Sequence, residues 1–301
     1  MKHCISFEQL ATITFVLVDD WYQLVETEYF SGKCGRKPRF SDSEVITLML
    51  LMDFLPFPGE TQFLAFLRAN FLYLFPELLD QSQFNRRSRQ LANAVEQLRQ
   101  SWAIKLGVHL KKDFLLDTKP IPVLSYKRDK RRSDFLSTAD YGVCKSRNLK
   151  YFGYKLVMLV TMDGMPAVYE LVAANTDERA AANEVLACAY NSNIYGDKGF
   201  IGEFWQSDQL LCNGNQIWTP KRSNQHDQND KAFDNWLNST RERIEGTFNE
   251  LQNTGRNIER LLRKTVSGLK AHVISIVTSH TLKLLLRQQY GIDVQTFSIA
   301  S

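Results

Sequence analysis

The stretch Asn193-Ile194-Tyr195-Gly196-Asp197-Lys198-Gly199-Phe200 decides how the chain is read. Three residues of strand character run into an acidic residue and a Lys-Gly turn, the pattern of a buried strand that delivers a carboxylate to its exposed carboxyl end. Such a turn is also a common surface feature in which the aspartate only satisfies backbone amides. Asp197 gains weight from partners elsewhere in the chain.

Two such partners are visible. Upstream, Asp113-Phe114-Leu115-Leu116-Asp117-Thr118-Lys119-Pro120-Ile121-Pro122-Val123 is an apolar run that again ends in an aspartate, and its prolines are expected to stop it pairing as a central strand. Downstream, Arg241-Glu242-Arg243-Ile244-Glu245-Gly246-Thr247-Phe248 lies in a helical pattern. Leu237, Ile244, Phe248 and Leu251 form its apolar stripe, with Glu245 on the flank and Arg241 one turn behind.

The 301 residues, 44% of them hydrophobic, suffice for one large domain or two with a packed core. Five scattered cysteines (Cys4, Cys34, Cys144, Cys188, Cys212) form no C-x-x-C pair, so neither a disulfide framework nor a structural zinc site is expected. No apolar run reaches eighteen residues and Glu8 comes too early for a secretory signal, which together read as cytosolic with no membrane partner. His3, His109, His226, His272 and His280 have no metal-ligand spacing, and His272 and His280 are expected on a helix face. No Gly-rich phosphate loop appears, so no nucleotide cofactor is implied. The net charge of +4 announces no partner by itself. Its distribution is uneven: Lys127, Arg128, Lys130, Arg131 and Arg132 follow the Asp117 run, then come Lys145, Arg147 and Lys150, and Arg86, Arg87 and Arg89 form a separate group. Each cluster also fits an ordinary solvated loop or helix face.

In chain order, the front is helical. Helices are expected over 7–26, after the capping box Ser41-Asp42-Ser43-Glu44 until Pro56, over 60–71 and, as one long helix, over 83–105. The amino-terminal turns of the last carry Arg86, Arg87 and Arg89, as a helix entering the major groove of DNA would, and as many surface helices do. From about Phe114 the texture becomes strand-rich. Residues 149–162 and 167–172 read as a hairpin across Met162-Asp163-Gly164-Met165, with Asp163 a turn residue. A helix capped by Thr176 or Asp177, with Glu178 favouring its dipole, runs to about Tyr190. Then follow the Asp197 strand, a helix over 202–211, a short strand over 216–219, a polar loop over 223–231 and the Glu245 helix. This order predicts a mixed sheet with helices on its faces.

Six blocks carry a resemblance: Gly35-Arg36-Lys37-Pro38 with Ser41-Asp42-Ser43-Glu44-Val45-Ile46-Thr47, Asp117-Thr118-Lys119-Pro120-Ile121-Pro122-Val123, Tyr151-Phe152-Gly153-Tyr154-Lys155, Ala174-Asn175-Thr176-Asp177-Glu178-Arg179, Gly196-Asp197-Lys198-Gly199 and Arg243-Ile244-Glu245-Gly246-Thr247-Phe248. In this order they resemble the IS982-type bacterial insertion-sequence transposases, within the wider class of DDE transposases. The resemblance implies an α/β fold with a ribonuclease H-like mixed five-stranded sheet flanked by helices, preceded by an all-α N-terminal region. It implies three domains: a helical region over 1–108 that binds terminal inverted repeats, a catalytic domain over 109–265, and a C-terminal helix and tail over 266–301 packing on it. In related transposases a Tyr and an Arg precede the glutamate and a Lys follows it; here Arg241 keeps the arginine place, while Asn238 and Gln252 stand at the other two. Arg256 or Lys198 is the expected substitute.

By the same resemblance Asp117, Asp197 and Glu245 are the catalytic and metal-binding triad. Two Mg²⁺ ions are implied, with Mn²⁺ as a substitute, because two hard cations can activate the attacking oxygen and stabilise the leaving one. Arg86, Arg87, Arg89, Lys119, Lys127, Arg128, Lys155, Lys198 and Arg241 are expected near DNA phosphates. The partners implied are double-stranded DNA, as inverted repeats and as target, and a second copy of the chain in the DNA complex, in a bacterial cytoplasm at the nucleoid. Two alternatives stay open: a ribonuclease H-fold nuclease without strand transfer, and a non-catalytic DNA-binding derivative.

Overall fold

A computed structural model describes residues 5–29, 38–144, 147–222, 228–260 and 263–294. Lys145, Cys4, Cys34, His3, His226, the Gly35 to Lys37 part of the first block and residues 223–227 of the polar loop lie outside them. The chain divides into two compact units: Met1–Trp102 with Leu251–Ile258 and Val266–Ser301, and Ala103–Glu250 with Glu259–Thr265.

The first unit is helical: α1 (Phe7–Tyr29), α2 (Asp42–Leu51), α3 (Glu60–Asn70), α4 (Gln81–Gln90) and α5 (Ala92–Lys105), the last crossing into the second unit. The capping box starts α2 as expected: Ser41 Oγ accepts from the Glu44 amide at 3.1 Å and Glu44 Oε2 accepts from the Ser41 amide at 2.6 Å. Such a cap contributes about 1 kcal/mol. The long helix expected over 83–105 is divided into α4 and α5 at Leu91, the buried C-cap of α4, whose N–H still reaches the Arg87 carbonyl. The helix near the carboxyl end, Val266–Tyr290, packs on α2 and α4, with Ser275 Oγ and Ser279 Oγ donating to the Met49 and Leu50 carbonyls at 2.8 and 2.9 Å. His272 and His280 are buried on it. Arg256, 3% exposed, donates to Asp53, to the Met49 carbonyl and to Ser275 Oγ.

The second unit holds a six-stranded mixed sheet: β1 (Asp113–Leu124), β2 (Asp140–Cys144), β3 (Leu149–Thr161), β4 (Pro166–Ala173), β5 (Asn193–Tyr195) and β6 (Gln216–Trp218). The path is β2-β3-β1-β5-β6, with β4 also on β3; β1, β3 and β4 are antiparallel, and β5 and β6 run parallel to β1. Three antiparallel strands followed by two parallel to the first is the ribonuclease H-like arrangement, and β2 is a short addition beyond the expected five. The helices are α6 (Glu178–Leu186), α7 (Glu203–Asn213) and α8 (Lys231–Gln252), and the carboxyl-end helix of the first unit is α9. One sheet face is covered by α6: Phe114, Leu116, Val157, Leu159, Ile194 and Ile217 pack on Ala181, Ala182, Val185 and Leu186, the alanines letting the helix come close. Asp177 caps α6, and Gly164, at φ +85°, turns the β3–β4 hairpin.

The prolines do not end β1 as expected. It pairs with β3 through Pro120 and Pro122. On its other side β5 pairs only with Asp113 to Leu115. Alternate residues point their N–H groups to alternate sides, so both prolines place the missing donor on the side that β5 has already left.

Candidate active site

Register brings the two aspartates together. Asp113 pairs with Asn193 and Leu115 with Tyr195, so carrying the register two residues further sets Asp117, inside β1, level with Asp197, just past the end of β5. Adjacent strands lie about 4.8 Å apart. Leu116 and Ile194 face α6, so the alternation turns Asp117 and Tyr195 to the opposite face. That face is covered by α8, whose Trp236 ring meets Tyr195 edge-on with centroids 5.1 Å apart, while Phe233 does the same to Trp218 at 5.4 Å. Leu237, Ile244 and Phe248 are buried as the stripe predicted. Farther along α8, Arg243 Nη1 donates to the Met162 carbonyl at 2.9 Å, fixing the helix to the β3–β4 turn.

Asp117 is half-buried and its Oδ1 accepts from the Thr118 amide at 2.7 Å. Its carboxyl is pushed up to about 7, first by burial; the negative charges of Asp197 and Glu245 add to the rise, and the Thr118 amide and the Arg241 guanidinium oppose it. The structure thus brings Asp117, Asp197, Glu245 and Arg241 into one electrostatic neighbourhood. Asp197 caps the turn Lys198–Phe200, its Oδ1 accepting from the Gly199 amide at 2.7 Å. Glu245 is exposed on the α8 flank. Among the described residues, no three acidic, His or Cys side chains stand close enough to form a ready metal cluster.

A fourth carboxylate is close by. A Cβ added at Gly199 would fall 1.7 Å from Glu178 Oε2 and 2.8 Å from Asp197 Oδ1, so the two oxygens lie no farther apart than those lengths laid end to end. The sequence showed Glu178 only as a dipole residue; the glycine two places after Asp197 was the available signal.

The expected phosphate ligands divide into two sets. Arg86, Arg89, Lys127, Arg128 and Lys198 are exposed. Arg87, Lys119 and Lys155 are engaged inside their own units. Arg87 binds Asp42 and the Phe40 carbonyl, each at 2.5 Å. Lys155 Nζ donates to the Thr176 carbonyl at 2.7 Å, which ties β3 to the start of α6. Lys119 is buried, 3.0 Å from Glu259 Oε1 and 5.6 Å from the centre of the Phe248 ring. Arg241 is half-buried and its Nε has no hydrogen-bond partner among the described residues. Arg256 cannot substitute for the absent tyrosine or lysine, because Asp53 and the α2 carbonyl already hold it.

No helix among the described residues is long and apolar enough to cross a membrane. None of the curated proteins matches the chain. Two solved structures share 15% identity with it at a TM-score of 0.24, too slight a likeness to support an argument. One is a Mos1 transposase paired-end complex with left transposon end, covering 76% of this chain and 85% of that one; the other is a pre-cleavage Mos1 transpososome, covering 76% and 82%. A family model described as a transposase DDE domain matches residues 109–264, more than half of the chain and the part that holds the sheet, both aspartates and α8. By that match the chain belongs to the transposase DDE domain family.

Proposed function

We propose that the chain cuts DNA phosphodiesters at the ends of an insertion sequence and joins the freed 3′-hydroxyl to target DNA, with Asp117, Asp197 and Glu245 as its acidic triad. The observation that supports this best is the β1–β5 register, which levels Asp117 with Asp197 beneath a helix that carries Glu245. The six sequence blocks favour the IS982-type branch of the family.

The residues suit hard divalent cations. The donor set is carboxylate oxygen throughout, the ligand type that Mg²⁺ prefers, and Mn²⁺ is its expected substitute. Burial and like charge hold Asp117 toward its neutral form, a cost that a bound cation would remove. Asp117, Asp197 and Glu245 are the residues that would hold the ions. When bound, the ions make the attacking oxygen more acidic and stabilise the leaving oxygen.

The chain's own groups do the rest. Arg241 presents an unsatisfied buried N–H beside Asp117, a donor fitted to a non-bridging phosphate oxygen. The Gly199 amide orients the Asp197 carboxylate. Exposed Lys198, Lys127 and Arg128 supply sequence-independent attraction to the DNA backbone. The helical front, with Arg86 and Arg89 exposed on α4, is the part we assign to the terminal inverted repeats. Two ends must be held together, so two copies of the chain act in the DNA complex, at the bacterial nucleoid.

The test is cleavage and joining of a labelled inverted-repeat end, with and without Mg²⁺, by the wild type and by Asp197→Asn. Nicks and joined products from the wild type alone, and only with the cation, are expected. Equal activity of the two proteins ends the proposal for this site, and nicks without joined products in the presence of target DNA make the chain a nuclease.

A further inference from the structure

Glu259 stands outside the acidic triad and is gripped in an unusual way. Arg147 holds it with two parallel bonds, Nη1 to Oε1 at 2.8 Å and Nη2 to Oε2 at 2.9 Å, and Lys119 Nζ reaches Oε1 at 3.0 Å. All three residues belong to the second unit. The Glu259 and Lys119 side chains are 11% and 10% exposed, whereas Arg147 is 42% exposed, so the grip has an open side. Burial by itself would raise the Glu259 carboxyl; the bonds from Arg147 and Lys119 outweigh it and hold the group below its ordinary value. A fork of guanidinium N–H groups with an ammonium beside it is a donor set that fits two oxygens of a phosphate as well as those of a carboxylate.

Its position matters as much as its chemistry. Lys119 lies two residues beyond Asp117 on β1, so both side chains leave the same face of the sheet, about 7 Å apart along the strand. Phe248, one turn after Glu245 on α8, roofs the ammonium. We propose that Lys119 and Arg147 form a binding site for a backbone phosphate of DNA next to the acidic triad, and that Glu259 occupies it as an internal mimic which the phosphate displaces. This rests on the reading of the chain as an enzyme that acts on DNA. It gives Lys119 the phosphate role expected from sequence, conditional on release of a carboxylate. Arg147, the partly exposed member of the grip, is the entry point.

The test uses the full chain and a labelled duplex of arbitrary sequence, since phosphate contacts are blind to sequence. Glu259→Gln removes the competing charge and is expected to bind roughly tenfold more tightly, with a log–log salt slope steeper by about one. Arg147→Gln is expected to bind several-fold more weakly with a shallower slope. Thermal melting of both variants reports whether they fold. Duplex binding by the wild type with no tightening in folded Glu259→Gln, or no weakening in Arg147→Gln, overturns the mimic and leaves the cleavage proposal standing. Absence of binding by all three proteins overturns both.

Discussion

Burial and like charge leave the Asp117 carboxyl close to half-protonated at neutral pH, and that has a consequence for stability. A carboxyl raised from the ordinary 3.8 to about 7 by folding binds its proton more tightly in the folded chain, so stability falls as pH rises through that interval. The distance between the two values corresponds to roughly 4 kcal/mol at full expression, and partial solvent access reduces the expected loss to about 2 kcal/mol. Melting in a chelator at pH 5 and pH 8 should show it, with Asp117→Asn flattening the dependence and added Mg²⁺ restoring stability at the higher pH. Gly199→Ala addresses the neighbouring turn. The new methyl would meet the carboxyl groups of Glu178 and Asp197, the ends of side chains, so the fold should survive while Asp197 moves. A shift of about 1 Å is worth on the order of 100-fold in rate, and cleavage assays set beside unchanged melting would show the split. At this scale the sequence was a partial guide. The Asp197 turn was readable because its chemistry is local: strand, carboxylate, glycine. The partners of Arg87, Lys119 and Lys155 were not, since a cation looks the same in a sequence whether a distant carboxylate or carbonyl holds it or water does.

At the scale of strands and helices, the close approach of β3 to β1 depends on Gly153. A Cβ there would fall 2.2 Å from the Ile121 carbonyl oxygen and 3.0 Å from Pro122 Cα, both backbone atoms of the paired strand. Backbone in a ladder cannot turn aside as the end of a glutamate can. Gly153→Ala is therefore expected to cost about 2–3 kcal/mol, measured by urea unfolding, and to open β1 near the register shift between Pro122 and Leu124. The same place shows why β1 was misread. Whether proline ends a strand depends on where the neighbouring strand stops, and β5 lies far along the chain. The capping box of α2, the apolar stripe of α8 and the 162–165 hairpin were legible, because each is written within a few residues. β2, five residues at the margin of β3, carries too short an alternation to stand out.

Over the whole molecule, the first unit is assembled from both ends of the sequence. Asp53 and Arg256, 2% and 3% exposed, join its early and late parts, and breaking one partner of so buried a pair costs about 3–5 kcal/mol. Arg256→Ala should accordingly lower the melting temperature of that unit. The cleavage proposed for the second unit should then fail only where the protein unfolds, which separates a structural arginine from one that touches DNA. Deleting residues after 265 removes α9 and uncovers α2 and α4; the front helices are expected to lose cooperative melting by circular dichroism while the sheet unit keeps its own transition.

Synthesis proceeds from the front of the chain, yet the helix that completes the front unit is the last to emerge. At ordinary elongation speeds, α2 waits on the order of ten seconds after it leaves the ribosome before α9 can cover it, while the sheet strands fold in the interval. For that period the nascent protein carries an uncovered apolar surface on α2, a natural target for chaperones, and its helical unit is unfinished.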